Sequence, residues 1–301
     1  MIKANETWET ILWQAQDKSQ DFKSHQPPTT NWQLKPRLKT PISYYGWKQN
    51  MLKHILPLVP EHKIYIEPYF GGGSLFRAKE PAKCEVINDV NMNLVNFYQV
   101  LKNKGKQLEA KIKDTLHSRE TYKKAMLIYD CPRLFADDDV TRAWSMYVVT
   151  NQGFLHRVWS WGFDKEKRSS QVFKNKVDLF GANLIDRIRY TQIEQNDAYK
   201  VIMSRDSEDA FIYCDPPYIN TNMGHYSKTY SEDDFKRDLE VLANIKWKFL
   251  LSNYPWEILN FYIKKYNRYV KTFDKPLSAS HNNNAGKSRR KTEVLVANYP
   301  I

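Results

Sequence analysis

Asp215-Pro216-Pro217-Tyr218, closing the apolar run 211–214, is the stretch of this chain best equipped for chemistry. The run reads as a buried strand, and a proline pair cannot continue a central strand. Asp215 is therefore expected at the carboxyl edge of a sheet, where open α/β folds take their ligands. The chemistry these residues fit is methylation of an aromatic amino group. An exocyclic amino nitrogen such as adenine's is a poor nucleophile, because its lone pair is delocalised into the ring. One acceptor for each N–H localises that pair and aims it at an electrophilic methyl. Asp215 supplies one acceptor and the Pro216 carbonyl the other, from a frame that Pro216 and Pro217 make rigid. Tyr218 offers a ring face for an extruded base. Catalysis there is positioning and electrostatics, with no covalent nucleophile. The same four residues also make an ordinary turn, so the rest of the chain has to decide.

A second block, Glu67-Pro68-Tyr69-Phe70-Gly71-Gly72-Gly73-Ser74, follows an expected strand at 63–67 and leads into a helix from Leu75. Consecutive glycines let a ligand approach the backbone. A further strand at 85–89 ends in Asp89, at the separation where an acid grips ribose hydroxyls. An adenosine-containing ligand follows from this layout. A nicotinamide cofactor would use it too, but the spacing Gly-x-Gly-x-x-Gly is not met. Upstream, Tyr44-Tyr45-Gly46-Trp47-Lys48 sets aromatic rings near a helix start. Ring faces favour a positively charged methyl donor. Lys48 is either a partner for a ligand carboxylate or a solvated helix lysine.

The elements that must hold these blocks alternate. After a polar extension at 1–38, a helix is expected at 48–58 and then the strand, glycine turn, helix and strand of one βαβ unit. The pattern is mostly helical from 91 to 189, with Asp137-Asp138-Asp139 at the start of a helix over 140–151. Strands follow at 191–194, 211–214 and 247–251, a helix at 232–243, and a closing hairpin at 268–273 and 293–298. The fold class is α/β. The expected organisation is an N-terminal extension (1–38), a catalytic domain (39–98 and 189–301) and an insertion (99–188).

Composition narrows the partner. The 301 residues carry 46 Lys and Arg against 34 Asp and Glu, a net charge of +12 that favours a polyanion. No run approaches membrane-spanning length, and no secretory signal opens the chain. The three cysteines form no CxxC pair and the seven histidines no ligand spacing, so neither a metal nor a disulfide framework is expected. A cytoplasmic protein is the plain reading. Two basic segments are candidate DNA contacts. One is Arg157-Val158-Trp159-Ser160-Trp161, with Asn151 nearby for base reading; the other is Arg289-Arg290-Lys291. No Pro-Cys dipeptide offers the thiolate that ring-carbon methylation needs, and no Gly-Lys-Ser/Thr loop indicates nucleotide hydrolysis.

In these blocks the chain resembles the Dam-like DNA adenine-N6 methyltransferases, over about 40–301. Tyr44 and Lys48 match the family's opening aromatic and lysine. Glu67 to Ser74 match Glu-Pro-Phe-x-Gly-x-Gly-Ser, with Tyr69 where Phe is usual. Asp89 matches the acid after strand two, Asp215 to Tyr218 the catalytic block, and Leu251-Ser252-Asn253 the later Ser-Asn block. The resemblance implies a Rossmann-like methyltransferase sheet with a C-terminal antiparallel hairpin and a mostly helical target-recognition insertion. It implies S-adenosylmethionine as donor, contacted by Tyr44, Lys48, Asp89 and Asp215. Glu67, Pro68, Tyr69, Gly71 and Gly73 lie in its motif, and Asp197 is placed towards its adenine. Double-stranded DNA is the implied substrate, with a cognate restriction endonuclease as a candidate partner. The insertion matches only loosely, so no target sequence carries over. Cytosine-N4 or RNA methylation, and a non-enzymatic nucleic-acid-binding module, remain alternatives. The segment 219–230, rich in Asn, Ser and Thr, is a candidate lid.

Overall fold

Short strands whose ends turn polar set the frame of this protein. The computed structural model describes residues 39–44, 48–154, 158–205, 207–219, 230–276 and 290–301. These form two compact units, one of residues 39–57 and 63–201, the other of 58–62 and 202–301. Seven strands occur among the described residues.

In the first unit, the helix expected at 48–58 is a chain of shorter pieces. A 3₁₀ turn at Gln49–Met51 runs into α1 (Leu52–Ile55) and a second 3₁₀ turn at Leu56–Leu58. Pro57 has no N–H to continue an α-helical ladder, which accounts for the tightening. Then come β1 (Ile64–Glu67), α2 (Ser74–Ala78) and β2 (Cys84–Asn88), with β1 and β2 parallel from Ile64↔Cys84 to Glu67↔Ile87. The helical stretch comprises α3 (Met92–Asn103), α4 (Gly105–Lys113), α5 (Arg119–Asp130), α6 (Asp139–Gln152), α7 (Arg168–Asp178) and α8 (Ala182–Ile188). Asn91, Ser118 and Asp138 cap α3, α5 and α6 through their side chains. Every residue of α6 from Ala143 to Gln152 is buried, so this helix is the axis on which α3 and α5 pack. β3 (Gln192–Glu194) returns parallel to β2, and α9 (Ala198–Met203) leads towards the second unit.

The second unit opens with β4 (Ala210–Cys214), buried at all five residues and hence read in sequence as an unbroken apolar run. α10 (Glu232–Asn244), with a Ser231/Asp234 capping box, precedes β5 (Lys248–Asn253), which pairs parallel to β4. α11 (Glu257–Lys265) had no counterpart in the expected elements; it buries Leu259, Tyr262 and Ile263. β6 (Tyr269–Pro276) and β7 (Arg290–Ala297) form the expected antiparallel hairpin. Both are longer than anticipated, and β7 lies between β5 and β6, antiparallel to each. The result is a Rossmann-like α/β architecture with a reversed final strand and a mostly helical insertion. No helix among the described residues is long and apolar enough to cross a membrane.

A buried ion cluster fastens α2, β2 and α8. Glu85 accepts from Lys79 Nζ at 2.6 Å and from Arg187 at 2.5 and 3.0 Å, and the Ala82 N–H adds a fourth bond at 3.1 Å. Burial alone would push the Glu85 carboxyl up, but Arg187 and Lys79 together outweigh it and hold it below 4.5. Glu85→Ala would leave two buried cations without their acceptor and is expected to remove about 3–5 kcal/mol of stability, read by urea unfolding. A carboxyl with a depressed folded value stabilises above its unfolded value and loses that contribution as the pH falls. The gap between wild type and Glu85→Ala is therefore expected to close on acidification below about 4.5.

Candidate active site

The turn after β1 is built around Gly71 and Gly73. Both have positive φ, 49° and 65°, which only glycine adopts at little cost. A Cβ on Gly73 would lie 2.4 Å from the Phe70 ring, and one on Gly71 would lie 3.2 Å from the Tyr44 ring. Gly71 is fixed from three sides. Its N–H donates to Asp89 Oδ2 at 3.1 Å, its carbonyl accepts from the Tyr98 hydroxyl at 3.0 Å, and Tyr44 covers its Cα. The other Asp89 oxygen accepts from the Asn91 N–H at 2.9 Å, and the Asn91 side chain donates to the Tyr44 hydroxyl at 3.0 Å. Burial raises the Asp89 carboxyl to about 6, against the opposing pull of N–H donors from Asn91, Gly71 and Val90. Asn88 adds a tie that sequence reasoning missed. Its amide donates to the carbonyls of Pro68 and Asn196 at 2.9 and 3.0 Å, while its oxygen accepts the Asn196 N–H at 2.9 Å. A polar residue closing an apolar strand was the signal that could have found it.

Beside Asp89 lies a small cleft lined by Phe70, Asn88, Tyr98, Ile193 and Glu194 among others. Glu67 is buried and accepts from the Tyr65 hydroxyl at 2.8 Å, and Lys48 is likewise buried. The half-exposed Asp197 carboxylate pairs with Lys200 at 3.2 Å, and Glu194, at the end of β3, lines the cleft together with Asp89.

In the second unit Asp215 leaves β4 half-buried, followed by buried Pro216 and half-buried Pro217. Tyr218 is 7% exposed, and its hydroxyl is held by neighbouring side chains. That oxygen lies 3.1 Å from Asp215 Oδ1, 3.0 Å from Ser252 Oγ and 2.5 Å from Glu293 Oε1, and Ser252 Oγ donates to the same Glu293 oxygen at 2.6 Å. The Tyr254 ring meets Tyr218 edge-on at 4.3 Å, and Lys291 Nζ sits 3.7 Å from the Tyr254 centroid. Lys291 thus stands beside the Asp-Pro-Pro-Tyr turn. Arg289 and most of 219–230 lie outside the described residues, and Arg290 enters through its backbone in β7.

The insertion divides its expected DNA contacts. Trp159 is 54% exposed, and Phe163 and Phe154 are exposed near it. Trp161 is half-buried, stacked on Phe163 at 5.5 Å with the Arg119 guanidinium 4.5 Å from its centre. Arg157 lies outside the described residues. Asn151 is a correction: it is buried in α6 and its side chain is spent on the chain itself. Its amide donates to Pro41 O at 2.9 Å, and its oxygen accepts from Ser43 N at 3.1 Å and from Lys176 Nζ at 2.8 Å. Lys176 of α7 also bonds the Ser43 hydroxyl, and burial lowers its ammonium to about 8.

Residues 44–275 match the family model described as D12 class N6 adenine-specific DNA methyltransferase. The Type II methyltransferase M1.LlaDCHI of Lactococcus lactis subsp. cremoris is 30% identical over 88% of this chain and 97% of its own length. The DNA adenine methylase of Vibrio cholerae serotype O1 is 23% identical over 69% of this chain and 75% of its own. The DNA N-6-adenine-methyltransferase of Escherichia phage P1 is 26% identical over 67% of this chain and 27% of its own.

The two glycine positions separate by experiment. Gly73→Ala places a side chain at φ +65° against Phe70 and is expected to lower stability by about 1–3 kcal/mol in thermal unfolding. Gly72→Ala, whose Cβ meets nothing nearer than 3.7 Å, is expected to stay within about 0.5 kcal/mol of wild type.

Proposed function

Because this chain belongs to the D12 class of N6 adenine-specific DNA methyltransferases, enzymes that methylate the adenine amino group in DNA, we propose that Asp215 and the Pro216 carbonyl are its acceptors for that amino group. The observation that carries this assignment is the half-buried Asp215 at the end of the wholly buried β4, followed by the Pro-Pro turn. An acceptor on each N–H turns the nitrogen lone pair out of the ring and towards the incoming methyl. A carboxylate on a rigid turn does this without reorganising during the reaction. Reaching the amino group requires the adenine to leave the duplex stack. Tyr254 and Lys291, next to Tyr218, offer an aromatic surface and a cation at that position.

S-adenosylmethionine is the methyl donor we infer. The glycine turn and the donor set fit it: three successive glycines present backbone without side chains, and Asp89, which accepts from Gly71 and Asn91, keeps lone pairs for ribose hydroxyls. When bound, this group supplies a methyl on a positively charged sulfur. Glu67 and Lys48 are charged groups for the amino-acid end of that donor, with Pro68 and Tyr69 framing the turn and Tyr44 covering it. We further assign target recognition to the insertion at 99–188, through Trp159 and its exposed aromatic neighbours, on duplex DNA. A cognate restriction endonuclease as partner is suggested by the Type II relative.

Asp215→Ala is expected to lower single-turnover methylation of unmethylated genomic DNA by about 10²–10³-fold, with N6-methyladenine as the wild-type product nucleoside. A wild-type rate in the mutant, or label in N4-methylcytosine, would sink the assignment. Donor binding carries its own test. The Asp89 carboxyl, raised to about 6, accepts hydrogen bonds best when ionised. Donor affinity measured by calorimetry is therefore expected to fall as the pH drops through about 6, and Asp89→Asn to bind weakly without that dependence.

A further inference from the structure

We propose that Glu293 is a positioning residue for methyl transfer, drawing the Tyr218 phenol proton away from Asp215 so that Asp215 keeps its full accepting power for the target amino group. The inference rests on Asp215 being that acceptor. Glu293 lies on β7, 1% exposed, where the polar first half of the strand gives way to the buried apolar residues Val294 to Ala297. Four oxygens meet there: Asp215 Oδ1, Tyr218 Oη, Ser252 Oγ and Glu293 Oε1. Between them run four close contacts, of 2.5, 2.6, 3.0 and 3.1 Å. The two hydroxyls bring only two protons, so at most two of these contacts are hydrogen bonds when both acids are ionised. The two shortest converge on one atom, Glu293 Oε1, from Tyr218 at 2.5 Å and from Ser252 at 2.6 Å. The 3.1 Å contact to Asp215 then faces a phenol lone pair, not an O–H. Burial, with the Asp215 and Glu293 charges, holds the Tyr218 phenol well above its ordinary value, so it keeps its proton throughout.

Removing the Glu293 acceptor has a defined consequence. The phenol O–H then swings to Asp215 at 3.1 Å, whose charge makes it a stronger acceptor than the neutral Ser252 hydroxyl at 3.0 Å. Asp215 then has less accepting power for the amino N–H it must receive. The effect passes entirely through the Tyr218 hydroxyl, which is what separates it from a general loss of packing.

The test is a double-mutant cycle on the full chain, read by single-turnover methylation of duplex DNA and by calorimetric binding of S-adenosylmethionine. Glu293→Met fills the volume without offering an oxygen acceptor. It is expected to slow methylation by about tenfold or more while donor affinity stays within about twofold. Glu293→Gln, whose amide oxygen still takes both protons, is expected to retain the rate within about threefold. In the Tyr218→Phe background there is no phenol proton to divert, and Glu293→Met is expected to change the rate by less than about threefold. Where Glu293→Met fails to fold, Glu293→Leu takes its place in both backgrounds. An equal slowing by Glu293→Met in both backgrounds, or a wild-type rate in Glu293→Met, overturns the inference while leaving the Asp215 assignment intact. An Asp215→Ala protein of wild-type rate overturns both.

Discussion

The Asp89 carboxylate accepts the Gly71 N–H through one oxygen and the Asn91 N–H through the other, so the turn after β1 and the turn after β2 are fastened to one group. The glycine turn and the start of α3 are registered against that clamp. Tyr98 reaches Gly71 from α3, whose first turn is capped by Asn91, and Asn91 in turn holds Tyr44. Burying a carboxylate is unfavourable, and burial outweighs the donors around Asp89 in pushing its pKa up to about 6. The arrangement stands because backbone N–H groups at the turn and at the start of α3 need an acceptor as much as Asp89 needs donors.

The second unit solves a similar problem with side-chain protons in place of backbone ones. β4 and the central runs Phe249–Leu251 of β5 and Val294–Ala297 of β7 are apolar, and polar side chains flank them at Asp215, at Ser252 and Asn253, and at Glu293. Strand interiors supply the rigidity and strand ends the chemistry, the division expected where ligands bind at the carboxyl edge of parallel strands. β7 runs the opposite way, so its contribution, Glu293, comes from the first half of that strand.

How much of this could be read from sequence depended on whether a residue's signal was local. β4 was legible because a fully buried strand is a continuous apolar run, and the proline pair marks its end within a residue or two. The glycine turn and Asp89 were legible because φ > 0 and tight approach leave a compositional trace. Glu293 left none: a lone acid in Lys291-Thr292-Glu293-Val294 reads as solvent-facing alternation, and its partners are 75 and 41 residues away. Asn151 misled for a related reason. α6 is buried on all sides, so its polar residues could not be told from exposed ones by periodicity.

The bonds from Lys176 and Asn151 to Ser43 and Pro41 give the insertion a second attachment, separate from its covalent ends. Helices α6 and α7 grip the segment that carries Tyr44, whose ring covers Gly71. The insertion is therefore not an interchangeable cassette. A chimaera that replaced this inserted segment at its two sequence junctions would leave the Ser43 N–H and Pro41 carbonyl without these partners and let the aromatic cover of the glycine turn drift. Replacing it has to carry along an asparagine at the end of one helix and a lysine near the end of the next, or else exchange residues 41–44 with it.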